Sequence, residues 1–495
     1  MGNVESLSYF VPELILTVAI LIVLFADMFG MERGGFDLPG GAALLGSILA
    51  LISHVWLYSQ PATMLFEGMI AHDMFSAFFR GFFLLCTVVV TLMTMYSMEV
   101  IHLKKGEFYS ILLSICIGMC LVASAQNLIM IYLALELMSL GSYILAGFSR
   151  RIGRSEEASL KFVLYGGVST GVMLFGLSLL YGLTGSTDFS AIQQVLISSE
   201  KGIDLTAFTI FLLILVGVGY KIAAVPFHFW APDVYEGSPT PITAFLSVAS
   251  KGTGFALLIR LFYSTLLTRS PAGGFWVEVG DIDIDWTFHL AVISALTMTI
   301  GNLGAISQNN LKRLLAYSGI AHAGYLLMGV CLLTDVGLQA VIFYLVVYLF
   351  TNLAAFLVVI IMVDTQDEEG MNGVRGLWAR TPIVAVAMTI CLFSLIGLPP
   401  TAGFVGKYYL FVALLQGKLY WLAIVGVLNT VVSLYYYARI VKAMFFEPTY
   451  TEEPIRVHPV YAGLLTALVV PVLYFGIFWD SLARYARYCA SLITY

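Results

Sequence analysis

The chain has 495 residues, 60% of them hydrophobic and 11% charged, with a formal net charge of -6. A soluble domain carries roughly 25% charged residues, so the composition points to an all-α polytopic membrane protein whose main solvent is lipid. No glycine-rich phosphate loop stands in a strand-turn-helix context, and no soluble domain is evident, so neither a nucleotide nor a nucleic acid is an expected partner.

The six cysteines, Cys86, Cys116, Cys120, Cys331, Cys391 and Cys489, form no CxxC and no Cys/His cluster. Cys116 and Cys120 lie one helical turn apart, too few ligands for a metal site, and are expected as small buried helix residues. No iron–sulfur centre and no metal are expected in this chain. The N-terminus lacks a basic segment and its apolar run is long enough to span, so no cleavable signal peptide is expected.

In chain order, fourteen apolar stretches are long enough to cross a bilayer, near 7–29, 40–59, 72–97, 107–125, 127–148, 157–183, 205–225, 239–267, 287–306, 312–332, 336–362, 380–415, 419–445 and 458–479. Pro226 ends the seventh. The twelfth is too long for one straight crossing and is interrupted at Gly397-Leu398-Pro399-Pro400, because proline lacks an N–H and clashes with the preceding turn. Turn residues separate the stretches at Gly34-Gly35, at Ser186-Thr187-Asp188, from Pro271 to Gly274 and from Asp364 to Gly373. Residues 187–198 form an amphipathic segment suited to the membrane interface.

Lysine and arginine set the orientation. With both termini outside, the inner loops hold 13 of the 24 basic residues, the outer loops 5, and the spans 6. Both termini are therefore expected on the non-cytoplasmic side, and the acidic run Asp281, Asp283, Asp285 faces outward.

Four segments follow: an N-terminal three-helix part (1–106), a five-helix unit (107–267, spans 4–8), a second five-helix unit (287–446, spans 9–13) and a C-terminal span with its tail (447–495). An odd number of spans per unit inverts the second relative to the first. In each unit the fourth span is the one broken by proline, with Lys221 before one break and Lys407 after the other. Interrupted spans at matching positions of two inverted halves point to an ion site at the membrane midplane.

The charges inside spans sharpen this. A lysine at the centre of a span costs about 3 kcal/mol on insertion scales. Lys221 and Lys251 lie in adjacent spans joined by the polar turn after Pro226, and Lys407 lies in the twelfth span. Glu136 is mid-span in LIMIYLALELMSLGSYILAGF; it is expected to form an ion pair with Lys221 rather than remain a protonated core group. In general, burial disfavours a charged lysine and a nearby carboxylate favours it, so a moving partner makes such a group take up and release a proton. His322, mid-span in LLAYSGIAHAGYLLMG, is a proton relay or a satisfied core histidine, and His228 in the broken segment has the same two readings. Lys161, at the start of the sixth span, is a functional group or a snorkelling one. Arg80 and Arg260 reach an interface or a helix neighbour. The expected geometry is one polar line through Glu136, Lys221, Lys251, His322 and Lys407.

Several long stretches carry a family resemblance: ALELMSLGSYILAGF at 134–148, RSEEASLKFVLYGG at 154–167, KIAAVPFHFWAPDVYEGSPTPITAFLSVASK at 221–251, LKRLLAYSGIAHAGYLLMG at 311–329 and SLIGLPPTAGFVGKYYLF at 394–411. The chain resembles the antiporter-like membrane subunits of respiratory complex I, and among them the N type. Spans 4–13 are covered closely and the ends loosely; Arg80 matches no motif of the family. The resemblance implies that Glu136, Lys221, Lys251 and Lys407 match the family's glutamate and lysines of spans 5, 7, 8 and 12, and that Lys161 matches a span-6 lysine typical of the N type. The sister M type usually has glutamate where Lys407 stands, and the L type continues into a long lateral helix; both departures favour N.

The implied function is proton translocation in a NADH:quinone oxidoreductase. The chain would be a subunit of that translocase in an energy-transducing membrane, most simply the bacterial plasma membrane. It would hold no redox centre, with quinone, flavin and iron–sulfur clusters on partner subunits. Its partners would be other membrane-arm subunits, including neighbouring antiporter-like ones. The alternative is a subunit of a multisubunit sodium/proton antiporter. An inert scaffold leaves the buried charges unexplained.

Overall fold

The computed structural model describes residues 2–29, 37–100, 105–149, 153–198, 205–269, 276–278, 285–449 and 453–490. Each of the fourteen apolar stretches carries helix. Lipid offers the backbone no hydrogen-bond partner, so an apolar segment satisfies its own N–H and C=O groups by coiling. The principal helices are α1 (Val11–Met28), α2 (Leu38–Leu57), α3 (Met74–Tyr96), α4 (Lys105–Ser124), α5 (Leu128–Ala146), α6 (Gly153–Thr184), α7 (Leu205–Ile222), α8 (Trp230–Gly237) and α9 (Thr240–Thr265). They continue with α10 (Trp286–Ile306), α11 (Leu311–Val330), α12 (Asp335–Gln366), α13 (Pro382–Ile396), α14 (Ala402–Gln416), α15 (Tyr420–Phe446), α16 (Pro459–Ile477) and α17 (Asp480–Cys489). Among the described residues, 11 helices are long and apolar enough to cross a membrane, and three shorter apolar ones, Phe208–Ile222, Pro382–Ile396 and Ala402–Gln416, accompany them.

Short polar side chains start many of these helices. Asp37, Asp73, Asn127, Asp285, Asn310 and Thr334 each accept a first-turn N–H that has no carbonyl within the helix. The segment expected at the interface forms a short helix, Phe189–Ser198. The described residues also include two small antiparallel strand pairs, Thr63–Leu65 with Ile70–His72 and Leu267–Arg269 with Trp276–Glu278.

The centre is built on α9 and α12. The apolar window of α9 is wholly buried and 83% of that of α12 is, against 28% for α1 and α16. The outer helices turn apolar side chains outward, among them Val18, Ile52, Leu164, Val168 and Val431. In water such a surface is a liability; in a bilayer it is the face that lipid covers.

Both arginines within spans find carboxylates. Arg80 Nε lies 2.7 Å from Glu13 Oε1, both side chains 1% exposed. Arg260 grips Asp73 with both terminal nitrogens, at 2.6 and 2.8 Å, and donates from Nε to the Ala123 carbonyl at 3.0 Å. Asp73 also caps α3, so one carboxylate ties α3 to α9.

One sequence expectation changes. The turn expected from Asp364 begins later, because α12 runs on to Gln366. Asp364 is anchored instead, accepting the Met98 N–H at 2.9 Å and the Tyr461 hydroxyl at 3.2 Å. Arg33, Lys104, Arg150, Arg151, Lys201, Asp281, Asp283 and the turns at Gly34-Gly35 and Pro271 to Gly274 lie outside the described residues.

Removing one partner of a buried ion pair strands the other charge, at a cost of about 3–5 kcal/mol. Asp73→Ala should therefore lower the thermal stability of the purified protein sharply, and Asp73→Ala combined with Arg260→Leu should recover much of it. A double variant less stable than Asp73→Ala alone would contradict this account of the pair.

Candidate functional site

The site begins at two helix interruptions. α7 stops at Ile222, Pro226 follows without an N–H to give, and α8 starts at Trp230. The intervening turn is tied down on both sides: the Val225 N–H donates to Thr297 Oγ1 of α10 at 3.1 Å, and Trp230 Nε1 donates to the Tyr220 carbonyl at 2.9 Å. α13 stops at Ile396, where Gly397 takes φ +90°, a backbone conformation that costs glycine no side-chain clash. Pro399-Pro400 follow and α14 starts at Ala402. The peptide bonds Val225–Pro226 and Pro399–Pro400 are both cis. Gly476 of α16 packs directly on the second interruption; a Cβ there would come within 1.9 Å of the Pro400 carbonyl oxygen.

Each interruption holds a lysine. Lys221 is in the last turn of α7, 2% exposed, and its Nζ donates to Ser139 Oγ of α5 at 2.6 Å. It faces the rings of Tyr220 and Tyr143 at 5.3 and 5.7 Å. Lys407 is in α14, 4% exposed, and its Nζ donates at 2.9 Å to the carbonyl of Ile396, one of those that α13 leaves free by ending. The same ammonium lies 4.3 Å from the centre of the Tyr325 ring, a cation–π contact that strengthens as water is excluded.

Lys251 lies between them on α9, immediately after a single π turn at Leu246–Ser250. It is 2% exposed, its Nζ has no hydrogen-bond partner in the protein, and it lies 5.8 Å from the Tyr235 ring. Its Nζ and the Tyr348 hydroxyl both crowd Gly319 of α11, at 2.3 and 3.0 Å from where a Cβ would stand. One turn further along α11, His322 places Nδ1 2.7 Å from the Tyr344 hydroxyl and Nε2 3.3 Å from that of Tyr437. Tyr437 in turn bonds Ser318. His322 is within electrostatic range of both Lys251 and Lys407. The structure thus groups Lys251, His322 and Lys407 in the interior between α9, α11 and α14, while Lys221 stands on α7, whose end packs against Gly254 of α9.

Glu136 and Lys221 are not in contact. Lys221 donates instead to Ser139, one turn along α5 from Glu136, and Glu136 Oε1 has no hydrogen-bond partner in the protein. The reason is helical phase. Leu133, Leu137 and Leu140 point outward, which leaves Glu136 at the edge of that outer face while Ser139 turns inward. Glu136 remains within electrostatic range of Lys221.

Lys161 is set apart from the row. It is 36% exposed, pairs with Glu157 at 2.7 Å, and donates to Asp233 Oδ2 of α8 at 2.6 Å. Arg313 of α11 donates to the other oxygen of Asp233 at 2.6 Å and to Glu236 at 2.8 Å. The side chains form a surface cluster that joins α6, α8 and α11. His228 lies in the first interruption with its ring 4.3 Å from that of Phe229, and has no contact with the buried lysines.

Ser139, Tyr325, Tyr344 and Tyr437 were not singled out in the sequence, although a serine or tyrosine inside a long apolar helix is a usable signal. Among the described residues, no group of three His, Cys, Asp or Glu side chains could hold a metal ion. All six cysteines are buried and free.

Residues 125–433 match the family described as NADH:quinone oxidoreductase/Mrp antiporter, TM. The chain is 44% identical to the NADH-quinone oxidoreductase subunit N of Anaeromyxobacter sp. (strain Fw109-5), over 98% of its own length and 96% of that protein's. It superposes with a TM-score of 0.78 on a chain of respiratory complex I from Thermus thermophilus with bound aureothin, at 31% identity, covering 96% of this chain and 98% of that one. A chain of the Mrp complex from Dietzia sp. DQ12-45-1b gives a TM-score of 0.83 at 22% identity, a likeness of fold. The chain therefore belongs to the NADH:quinone oxidoreductase/Mrp antiporter family of membrane subunits.

Proposed function

We propose that this chain is the N-type membrane-arm subunit of a NADH:quinone oxidoreductase of the complex I type, and that it moves protons along Glu136, Lys221, Lys251, His322 and Lys407. The observation that carries this is the burial of three lysines and an imidazole, none more than 4% exposed, with Lys221 and Lys407 each beside a helix interruption. The buried arginines within spans, Arg80 and Arg260, are each paired with a carboxylate. These three lysines are held by a hydroxyl, a carbonyl and aromatic rings. Neutral partners tolerate both the charged and the uncharged lysine, which a proton carrier requires. Protonating one member raises the positive potential at the next and drives its proton off, so a charge change at one end can expel a proton at the other.

In this reading the α7–α8 and α13–α14 pairs are each one interrupted crossing, the chain crosses fourteen times, and residues 107–267 and 287–446 are inverted repeats. Both termini face away from the cytoplasm of a bacterial plasma membrane, as the basic loops favour. Quinone, flavin and iron–sulfur clusters belong to partner subunits, and neighbouring antiporter-like subunits flank this one. Lys161 contributes from the surface cluster with Asp233 and Arg313.

Purification with partners tests the assembly. Flavin and iron–sulfur proteins, together with NADH-dependent quinone reduction, are expected; a set of small antiporter subunits would replace the assignment with a sodium/proton antiporter. For the row, Lys251→Ala and Lys407→Ala should each lower proton translocation per electron pair in reconstituted vesicles while the subunit stays in its complex. Unchanged stoichiometry in both would remove the row from the mechanism. At the other end, Ser139→Ala deletes a hydrogen bond to a charged group, worth about 1.5–3 kcal/mol. It should impair translocation as Glu136→Gln does, and wild-type pumping by both variants would show that the Glu136 end carries no proton.

A further inference from the structure

One buried lysine belongs to no part of this row. Lys312, in the first turn of α11, is 1% exposed. A lysine at a helix end normally stretches its ammonium out to water along its apolar stem. Lys312 turns inward instead: Nζ donates at 2.8 Å to the carbonyl of Ser238, at the end of α8, and reaches Glu369 Oε1 at 3.1 Å. Glu369 is 26% exposed and is steadied by Asn310 Nδ2 at 3.0 Å. It borders a polar depression of about 650 Å³ lined also by Arg154, Glu236, Asp367 and Arg375. Lys312 therefore lies between an open, charged basin and the interior.

On its inner side runs a stripe of hydroxyls. Thr243 Oγ1 donates toward the Ser238 carbonyl at 3.4 Å and the Tyr235 carbonyl at 3.0 Å. Thr240, Thr243 and Ser247 recur at spacings of three and four on α9, hence on one face, and each is fully buried. Thr240 Oγ1 has no hydrogen-bond partner in the protein. Ser247 Oγ accepts from Asn352 Nδ2 of α12 at 2.7 Å. The next position on this face, across the π turn, is Lys251. The helix rises about 1.5 Å per residue, so each step along the stripe is a gap that one water molecule spans. A hydroxyl both donates and accepts: Ser247 Oγ, which accepts from Asn352, donates to the Ala244 carbonyl at 2.7 Å, and Thr240 Oγ1 keeps its full capacity.

We propose that Lys312 is a further proton-carrying residue, taking protons from the basin through Glu369 and loading the Thr240–Thr243–Ser247 stripe that leads to Lys251. The proposal rests on the translocation reading above. In each cycle the Glu369 carboxyl passes a proton to the Lys312 amine, the ammonium passes one to a water held by the stripe, and Glu369 is reprotonated from the basin. Only O–H and N–H bonds change, and one proton moves inward. The Ser238 carbonyl accepts a hydrogen bond and no proton; it aims the ammonium.

The test compares Lys312→Arg, Lys312→Ala and Lys407→Ala in the intact complex, reading proton translocation per electron pair alongside quinone reduction. Arginine keeps the charge and can reach both acceptors, but it does not give up its proton. Lys312→Arg and Lys312→Ala should both lose as large a share of translocation as Lys407→Ala. If Lys312→Arg pumps like the wild type, Lys312 only positions its neighbours and the proposal falls. If Lys407→Ala itself pumps normally, the translocation reading fails instead, and the two failures are distinct. Should the Lys312 variants not assemble, Thr243→Val with Ser247→Ala keeps shape and removes the stripe. Lost translocation in that variant supports the route, and unchanged translocation overturns it.

Discussion

The structure turns on the cost of an ammonium group in a low-dielectric interior. Such a charge, taken out of water, costs several kcal/mol unless something answers it, and the molecule answers in two ways. Arginines receive carboxylates: Arg80 has Glu13 and Arg260 has Asp73. These pairs are permanent, because an arginine does not lose its proton and its partner is fixed by packing. The lysines of the row receive neutral groups. Ser139 supplies a hydroxyl, Ile396 a carbonyl, and Tyr235 and Tyr325 supply ring faces. The division separates the buried arginines, which stay charged, from the lysines of the row, which can change charge.

The helix interruptions follow from the same constraint. A continuous helix spends all its interior carbonyls on itself. Ending α13 at Ile396 frees carbonyls, and Lys407 takes that of Ile396. The first interruption places Lys221 in the last turn of α7 and lets α8 bring Tyr235 toward Lys251. Proline is thus less a defect in these helices than the source of the polar atoms that make a buried lysine tolerable.

Much of this was legible in the sequence. The apolar runs gave every principal crossing helix its place, because lipid leaves coiling as the only way to satisfy the backbone. The two proline interruptions and the mid-span charges could be read from residue type alone. Partnerships could not. Periodicity fixes which residues share a face of one helix, not which neighbour that face meets. So the Ser139 hydroxyl that holds Lys221, and the two tyrosines around His322, had no sequence signature beyond being polar in apolar company. Lys312 shows the limit well. It stands at the inner end of its stretch and counts with the loop charges that orient the chain, yet its ammonium is buried under Glu369. Lys161, which motif resemblance groups with the buried lysines, lies at the surface because Asp233 and Glu157 draw it there.

The contact between Gly476 and Pro400 has a consequence for how the protein is made. The second interruption is wedged from outside by α16, whose backbone passes so close that no side chain fits between them. During synthesis α13 and α14 leave the ribosome well before α16 does. Until that last long helix arrives, the bend around Pro399 and Pro400 lacks the surface that supports it. The Lys407 end of the row therefore depends for its packing on a helix made after both halves of the interruption it supports.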